Sequence, residues 1–84
     1  MSYSIRIKAS AAKALRWITA TDRARLVGAI DRLAREPGAG GTLKGEFSGL
    51  RRLRVGRFRI VYEVIEGELV VLIIRTVQRR DSGR

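Results

Sequence analysis

The sequence contains no cysteine and no histidine. Without cysteine there is neither a disulfide framework nor a thiolate nucleophile, and nothing points to an oxidising compartment. Without histidine, a zinc site would have to be built from carboxylates and water alone, and a Ser-His-Asp triad is excluded. No metal and no cofactor is therefore expected. Long apolar runs are also missing: the longest, LVVLII at 69 to 74, is far too short to span a bilayer, and the opening MSYSIRIKAS has no apolar stretch of signal-peptide length. A cytoplasmic protein without a membrane partner is the expectation. Acidic residues are scarce as well, 8 against 18 lysines and arginines.

What is present follows from that imbalance. The net charge is +10 and the sequence pI is near 11.6, a field that favours polyanions or an acidic protein partner. At 84 residues and 45% hydrophobic composition, one folded domain over residues 1–84 is expected, with a modest stability margin. Its arginines are concentrated: residues 51 to 59 read RRLRVGRFR, with Leu53, Val55 and Phe58 set between them. That stretch has no acidic residue to offset its self-repulsion.

Period-two alternation in YSIRIK, residues 3 to 8, predicts an N-terminal strand. Ser10 is placed to cap a first helix over AAKALRWI, 11 to 18, whose Ala11, Ala14, Leu15 and Ile18 share one face. Thr21 and Asp22 open a second helix carrying Leu26, Val27, Ile30, Leu33 and Ala34 at spacings of three and four, and Glu36-Pro37-Gly38 ends it. The two make a helical hairpin. A glycine-rich connector, GAGGTLKGEFSG, leads to three predicted strands at about 50 to 55, 58 to 65 and 68 to 77. The turns are Gly56-Arg57 and Glu66-Gly67, each read as a two-residue hairpin. The last strand is continuous and apolar, so it is expected inside the sheet with both faces covered. The fold class is α+β: an N-terminal strand, a two-helix hairpin, then a three-stranded antiparallel meander with the helices on one face of the sheet.

A two-residue turn at 56 and 57 sets the register of the first hairpin. Val55 faces Phe58, Arg54 faces Arg59, Leu53 faces Ile60 and Arg52 faces Val61. Leu53, Val55, Phe58, Ile60 and Tyr62 then share the helix-covered face, and Arg52, Arg54 and Arg59 share the other. Like charges directly opposed across strands cost up to ~1 kcal/mol, which folding does not require. For any single arginine, a solvated basic face is the simpler reading. Three converging on a rigid sheet make a phosphate site. Glu63 lies on the same face, where partial pairing with Arg59 competes as an explanation. A second basic cluster, Arg79, Arg80 and Arg84 around Asp81, closes the chain.

The run LRRLRVGRFRIVYEVIEGELVVLIIRTVQRRD, 50 to 81, resembles the C-terminal half of RelE-type toxins of the RelE/ParE superfamily, and the first half agrees with the same pattern. The resemblance implies a toxin of a toxin–antitoxin pair, a RelE-like fold, and a ribosome-dependent endoribonuclease that cuts mRNA in the A site. It implies that Arg52, Arg54 and Arg59 hold the scissile phosphate, with Arg79 as the closing basic residue. A related branch of the superfamily poisons DNA gyrase and needs no nuclease site. Cleavage by 2′-hydroxyl attack requires a base, a group stabilising developing negative charge, and an acid. Arginine fills the second role and is a poor base.

The sequence departs from the family at two positions. Gly83 stands where a tyrosine is usual, and Gln78 where a histidine-like residue precedes Arg79. Glu63 is the candidate substitute base. Tyr62 points to the core by register, and Tyr3 is remote in sequence. Carried through a two-residue turn at 66 and 67, strict alternation puts Arg80 on the arginine face and not Arg79; a bulge, or the strand's end near Val77, reconciles the two. Arg79 is the first choice, Arg80 the alternative, and Lys44 a further contact to RNA backbone. Arg75 is predicted at the rim of the helix-covered side, opposite Phe58, and Trp17 is read as packing. The expected partners are a cognate acidic antitoxin and mRNA on the ribosome. A relative that retains only RNA or antitoxin binding is the remaining alternative.

Overall fold

The computed structural model describes residues 2–42 and 49–78. Strand β1, Ser4–Ile7, leads into helix α1, Ala9–Arg16, and helix α2, Ala20–Arg35. A 3₁₀ turn at Pro37–Ala39 and the two-residue strand β2, Gly41–Thr42, precede β3, Leu50–Val55; β4, Phe58–Ile65; and β5, Val70–Gln78. The sheet order is β1-β5-β4-β3-β2, with β1 parallel to β5 and the other pairs antiparallel. The meander is therefore extended on both edges by strands whose partners composition does not reveal.

The helix starts are each earlier than the pattern suggested. Ser10 lies inside α1, whose N-cap position is Lys8. Thr19, not Thr21, caps α2, its Oγ1 accepting from the Asp22 N–H at 3.3 Å. The hairpin turn between them is closed by Arg23, which donates to the Leu15, Ile18 and Arg16 carbonyls at 3.0, 2.9 and 3.3 Å. One guanidinium thus satisfies carbonyl groups that the end of α1 leaves without intrahelical partners. Trp17, beside that turn, is 83% exposed and does not pack as expected.

Both helices cover one face of the sheet. Ala11 and Leu15 of α1 and Leu26, Ile30 and Leu33 of α2 meet Phe58, Ile60, Tyr62, Val71 and Ile73 in one buried cluster. Tyr62 is fully buried with its hydroxyl satisfied: Oη donates to the Pro37 carbonyl at 2.8 Å and accepts from the Gly40 N–H at 2.9 Å. Arg51 donates to the Gly40 carbonyl at 2.7 Å. A Cβ at Gly40 would sit 2.7 Å from both the Arg52 carbonyl oxygen and Tyr62 Oη, so only glycine fits there. This polar knot ties the end of the helical hairpin to β3 and β4.

Two features of the last hairpin depart from expectation, and one of them moves an arginine. The connection is a 3₁₀ turn at Glu66–Glu68 followed by Leu69 at φ 54°, so Ile65 pairs with Val70 instead of Glu68. That shift of two residues leaves the faces unchanged. A β-bulge between Val61 and Tyr62 then shifts the register by one more: Tyr62 pairs with Ile73 and Val61 with Arg75, leaving Ile74 as the extra residue. A shift of one exchanges the faces of everything beyond it. Arg75, expected opposite Phe58 on the helix side, lies opposite Val61 on the open side, and Thr76 takes the buried place opposite Ile60. β5 is interior to the sheet, yet its open side is covered only in part: Val70 is buried, whereas Leu72 and Ile74 remain half-buried.

Candidate nucleic-acid interface

The β3–β4 hairpin has the register expected from its turn. Gly56 adopts φ 57°, the left-handed region that glycine enters without a side-chain clash, and Val55 pairs with Phe58, Arg54 with Arg59, Leu53 with Ile60 and Arg52 with Val61. Because Phe58, Ile60 and Tyr62 are buried under the helices, alternation places Arg59, Val61 and Glu63 on the open face. Arg52 and Arg54 join them from β3, and the bulge adds Arg75 and Val77 from β5.

Part of this face forms a shallow groove of about 390 Å³ lined by Leu50, Arg52, Arg59, Val61, Ile74, Arg75 and Val77. Across the three strands, Arg52, Val61 and Arg75 form one row, and Arg54, Arg59 and Val77 the next. Directly opposed side chains have Cβ atoms roughly 5 Å apart, so Arg52 and Arg75 flank Val61 with Cβ atoms about 10 Å from each other. Arg59 follows two residues along β4, about 7 Å away. The floor is apolar and the rim cationic.

No carboxylate forms an ion pair with these arginines among the described residues, where Arg32–Glu36 at the exposed end of α2 is the one ion pair. Glu63 stands in the row beyond Val61, between Leu50 and Leu72, and does not pair with Arg59. Arg59 Nε is buried without a hydrogen-bond partner. A guanidinium N–H removed from water and left unmatched is costly, and an acceptor oxygen entering the groove would relieve it.

Of the residues singled out from sequence, the sheet brings together Arg52, Arg54 and Arg59 and places Glu63 on the same face. Lys44, Arg79 and Arg80 lie outside the described residues. Tyr3 is not at the groove: its N–H bonds the Ala34 carbonyl at 2.8 Å, and it borders a small cavity of about 150 Å³ with Pro37, Gly38, Arg51, Val64 and Glu66. Burial pushes the Tyr62 phenol above its usual range, opposed by the Gly40 N–H and by the Arg51 charge. Among the described residues no group of three or more acidic side chains stands together to hold a metal ion, and no helix is long and apolar enough to cross a membrane. Sequence reasoning missed Arg75 and the apolar floor, because both depend on where a single unpaired residue falls.

The family described as the ParE toxin of type II toxin–antitoxin system, parDE, matches residues 3–83. The chain belongs to that family. It is a toxin of a toxin–antitoxin system in the RelE/ParE superfamily, and its fold is RelE-like. The RelBE2 toxin–antitoxin complex of Mycobacterium tuberculosis contains a chain that superposes with a TM-score of 0.87 at 28% identity, covering 94% of this chain and 100% of that one. The archaeal RelE–RelB complex of Pyrococcus horikoshii OT3 gives 0.80 at 27%, covering 98% and 100%. The isolated RelE toxin of E. coli gives 0.85 at 23%, covering 98% and 89%, a likeness of fold. No curated protein sequence matches.

Proposed function

We propose that this ParE-family chain acts as a ribosome-dependent mRNA endonuclease of the RelE type. The observation that carries the reading is the ring of Arg52, Arg59 and Arg75 around an apolar floor, with no carboxylate paired to any of them among the described residues. Such a ring suits a phosphodiester whose charge grows during reaction. In the reaction the ribose 2′-oxygen bonds to phosphorus while the bond to the 5′-oxygen breaks, leaving a 2′,3′-cyclic phosphate and a 5′-hydroxyl. Arg59 and Arg54 stabilise the developing charge on the phosphoryl oxygens, with Arg79 as the closing contact and Arg80 its alternative. Arg52 and Lys44 hold neighbouring backbone. Glu63, on the same face, accepts the 2′-hydroxyl proton. The proton for the 5′-oxygen comes from a group outside this set, and the ribosome itself is one source.

Ribosomes programmed with a defined mRNA test this directly. Purified protein is expected to produce a primer-extension stop within the A-site codon; intact mRNA at a large excess of protein removes the reading. A second reading is favoured by the family description and by Gln78 and Gly83, which stand where histidine-like and tyrosine side chains are usual. It is a gyrase-binding toxin without chemistry of its own. Inhibition of supercoiling that survives Arg59→Ala would establish it. In either case the physiological partner is an acidic antitoxin, in keeping with the +10 charge and with the antitoxin-bound complexes among the structural relatives. Both targets place the toxin in the cytoplasm.

A further inference from the structure

We infer that Arg75 is a third phosphate-holding side chain of the groove, gripping single-stranded RNA backbone from the β5 side while Arg52 grips it from β3. Its part in turnover rests on the endonuclease reading; its part in binding does not. Continuous alternation through a regular β5 would have put Arg75 under the helices. It faces the groove because Ile74 is unpaired opposite the Val61/Tyr62 step, and the bulge reverses the side of every later residue. Bulges re-aim side chains at sites of function. Here the re-aiming places an arginine in the same row as Arg52, on the other side of Val61.

The cost of the arrangement supports a ligand. The bulge gives up a ladder pairing at Ile74, moves Thr76 into a buried position where its Oγ1 has no hydrogen-bond partner, and adds a fourth cation to a face that already carries Arg52 and opposes Arg54 to Arg59. Each of these opposes folding. What the bulge produces is two forked donors facing each other over an apolar floor, with Arg59 between them along the strand. A phosphodiester over Val61 meets planar guanidinium groups from three strands, and the adjoining ribose or base rests on Leu50, Ile74 and Val77. A lone solvated arginine with its stem packed on Ile74 is the competing account, and it makes a different prediction for salt.

The experiment measures binding of a 5′-labelled, 2′-O-methylated RNA oligonucleotide, which cannot be cleaved, by fluorescence anisotropy across a salt series. Wild type, Arg75→Ala, Arg75→Lys and Lys13→Ala are compared, the last removing an exposed helix charge remote from the groove. Arg75→Ala is expected to weaken binding about tenfold near 0.1 M salt and to lower the log–log salt slope by about 0.7, the value for one lost contact to a single-stranded phosphate. Arg75→Lys should keep the slope while losing part of the affinity, because the point charge remains and the fork does not. Lys13→Ala should stay within about twofold of wild type with an unchanged slope. Identical affinity and slope for Arg75→Ala and Lys13→Ala overturns the inference. Circular dichroism melts of the same variants separate lost binding from lost folding; if Arg75→Ala is unfolded, Arg75→Lys alone decides, and unchanged affinity there overturns the inference. If programmed ribosomes are not cut but the slope still falls, the endonuclease reading fails and the phosphate site stands. If cleavage by Arg75→Ala matches wild type in kcat/KM and the slope is unchanged, the reverse holds.

Discussion

β4 presents two chemistries that alternate residue by residue. Phe58, Ile60 and Tyr62 face the helices and are almost completely buried, whereas Arg59, Val61 and Glu63, each a single position away, lie on the open face, where Arg59 and Val61 line the groove. The helix side follows the rules of a stable core: apolar contacts are dense, and the buried Tyr62 hydroxyl has both a donor and an acceptor partner. The open side does not, since it opposes arginine to arginine and leaves Arg59 Nε unmatched. One strand therefore alternates a packed core face with an unpaired cationic face at a period of two, and on the proposed function substitutions on the two sides should separate stability from binding.

Ile60→Ala should show the largest effect on folding. Removing a fully buried side chain between the helices and the sheet is expected to cost about 3 kcal/mol, read as a fall in the urea midpoint, with RNA binding lost only as the folded fraction falls. Its neighbour Arg59→Ala should do the opposite. On the endonuclease reading the cleavage rate on programmed ribosomes is expected to drop by about a hundredfold, while stability holds or rises because the unmatched Nε is removed. Equal destabilisation by the two variants would erase the contrast between the faces.

Tyr62→Phe tests the core side with a smaller change. Loss of the hydroxyl that bridges Pro37 and Gly40 should cost about 1–2 kcal/mol, because the Gly40 N–H and the Pro37 carbonyl lose a shared partner. It also carries a pH signature. The folded-state pKa of Tyr62 is raised, so above the unfolded value of about 10 the unfolded chain releases its proton first and folding stability falls as pH rises. In Tyr62→Phe that part of the alkaline loss should be missing from denaturation curves taken between neutral pH and about pH 11. Arg54→Glu probes the open side with the smallest effect on folding. Pairing a carboxylate with Arg59 should raise stability by a few tenths of a kcal/mol, visible as a slightly higher Tm, while RNA affinity falls severalfold.

Much of this contrast is legible in the sequence. The turn at Gly56-Arg57 set the β3–β4 register correctly, and with it the joint placement of Arg52, Arg54 and Arg59, since local turn geometry and period-two alternation act over a few residues. The helical hairpin is legible for the same reason, although both of its N-caps fall two positions earlier than the pattern suggests. Trp17 was misread because apolarity does not reveal that the Arg23 guanidinium holds the turn backbone while the indole stays outside. Glu63 was correctly placed on the arginine face, but the pairing weighed for it with Arg59 is not formed. The run from Val70 to Ile74 suggested a strand covered on both sides; its apolar residues instead serve the core on one face and the groove floor on the other.

The order of residues alone determined the fold class, the helix-covered face and the convergence of three arginines, because each depends on periodicity within a segment. Tertiary pairing decided the rest: the parallel alignment of β1 with β5, the four-residue turn after Ile65, and the unpaired Ile74 that turns Arg75 toward the groove. Register between strands is a long-range property. It is chosen by the summed burial of Val71, Ile73 and Thr76 against the helices, and no local pattern carries that sum.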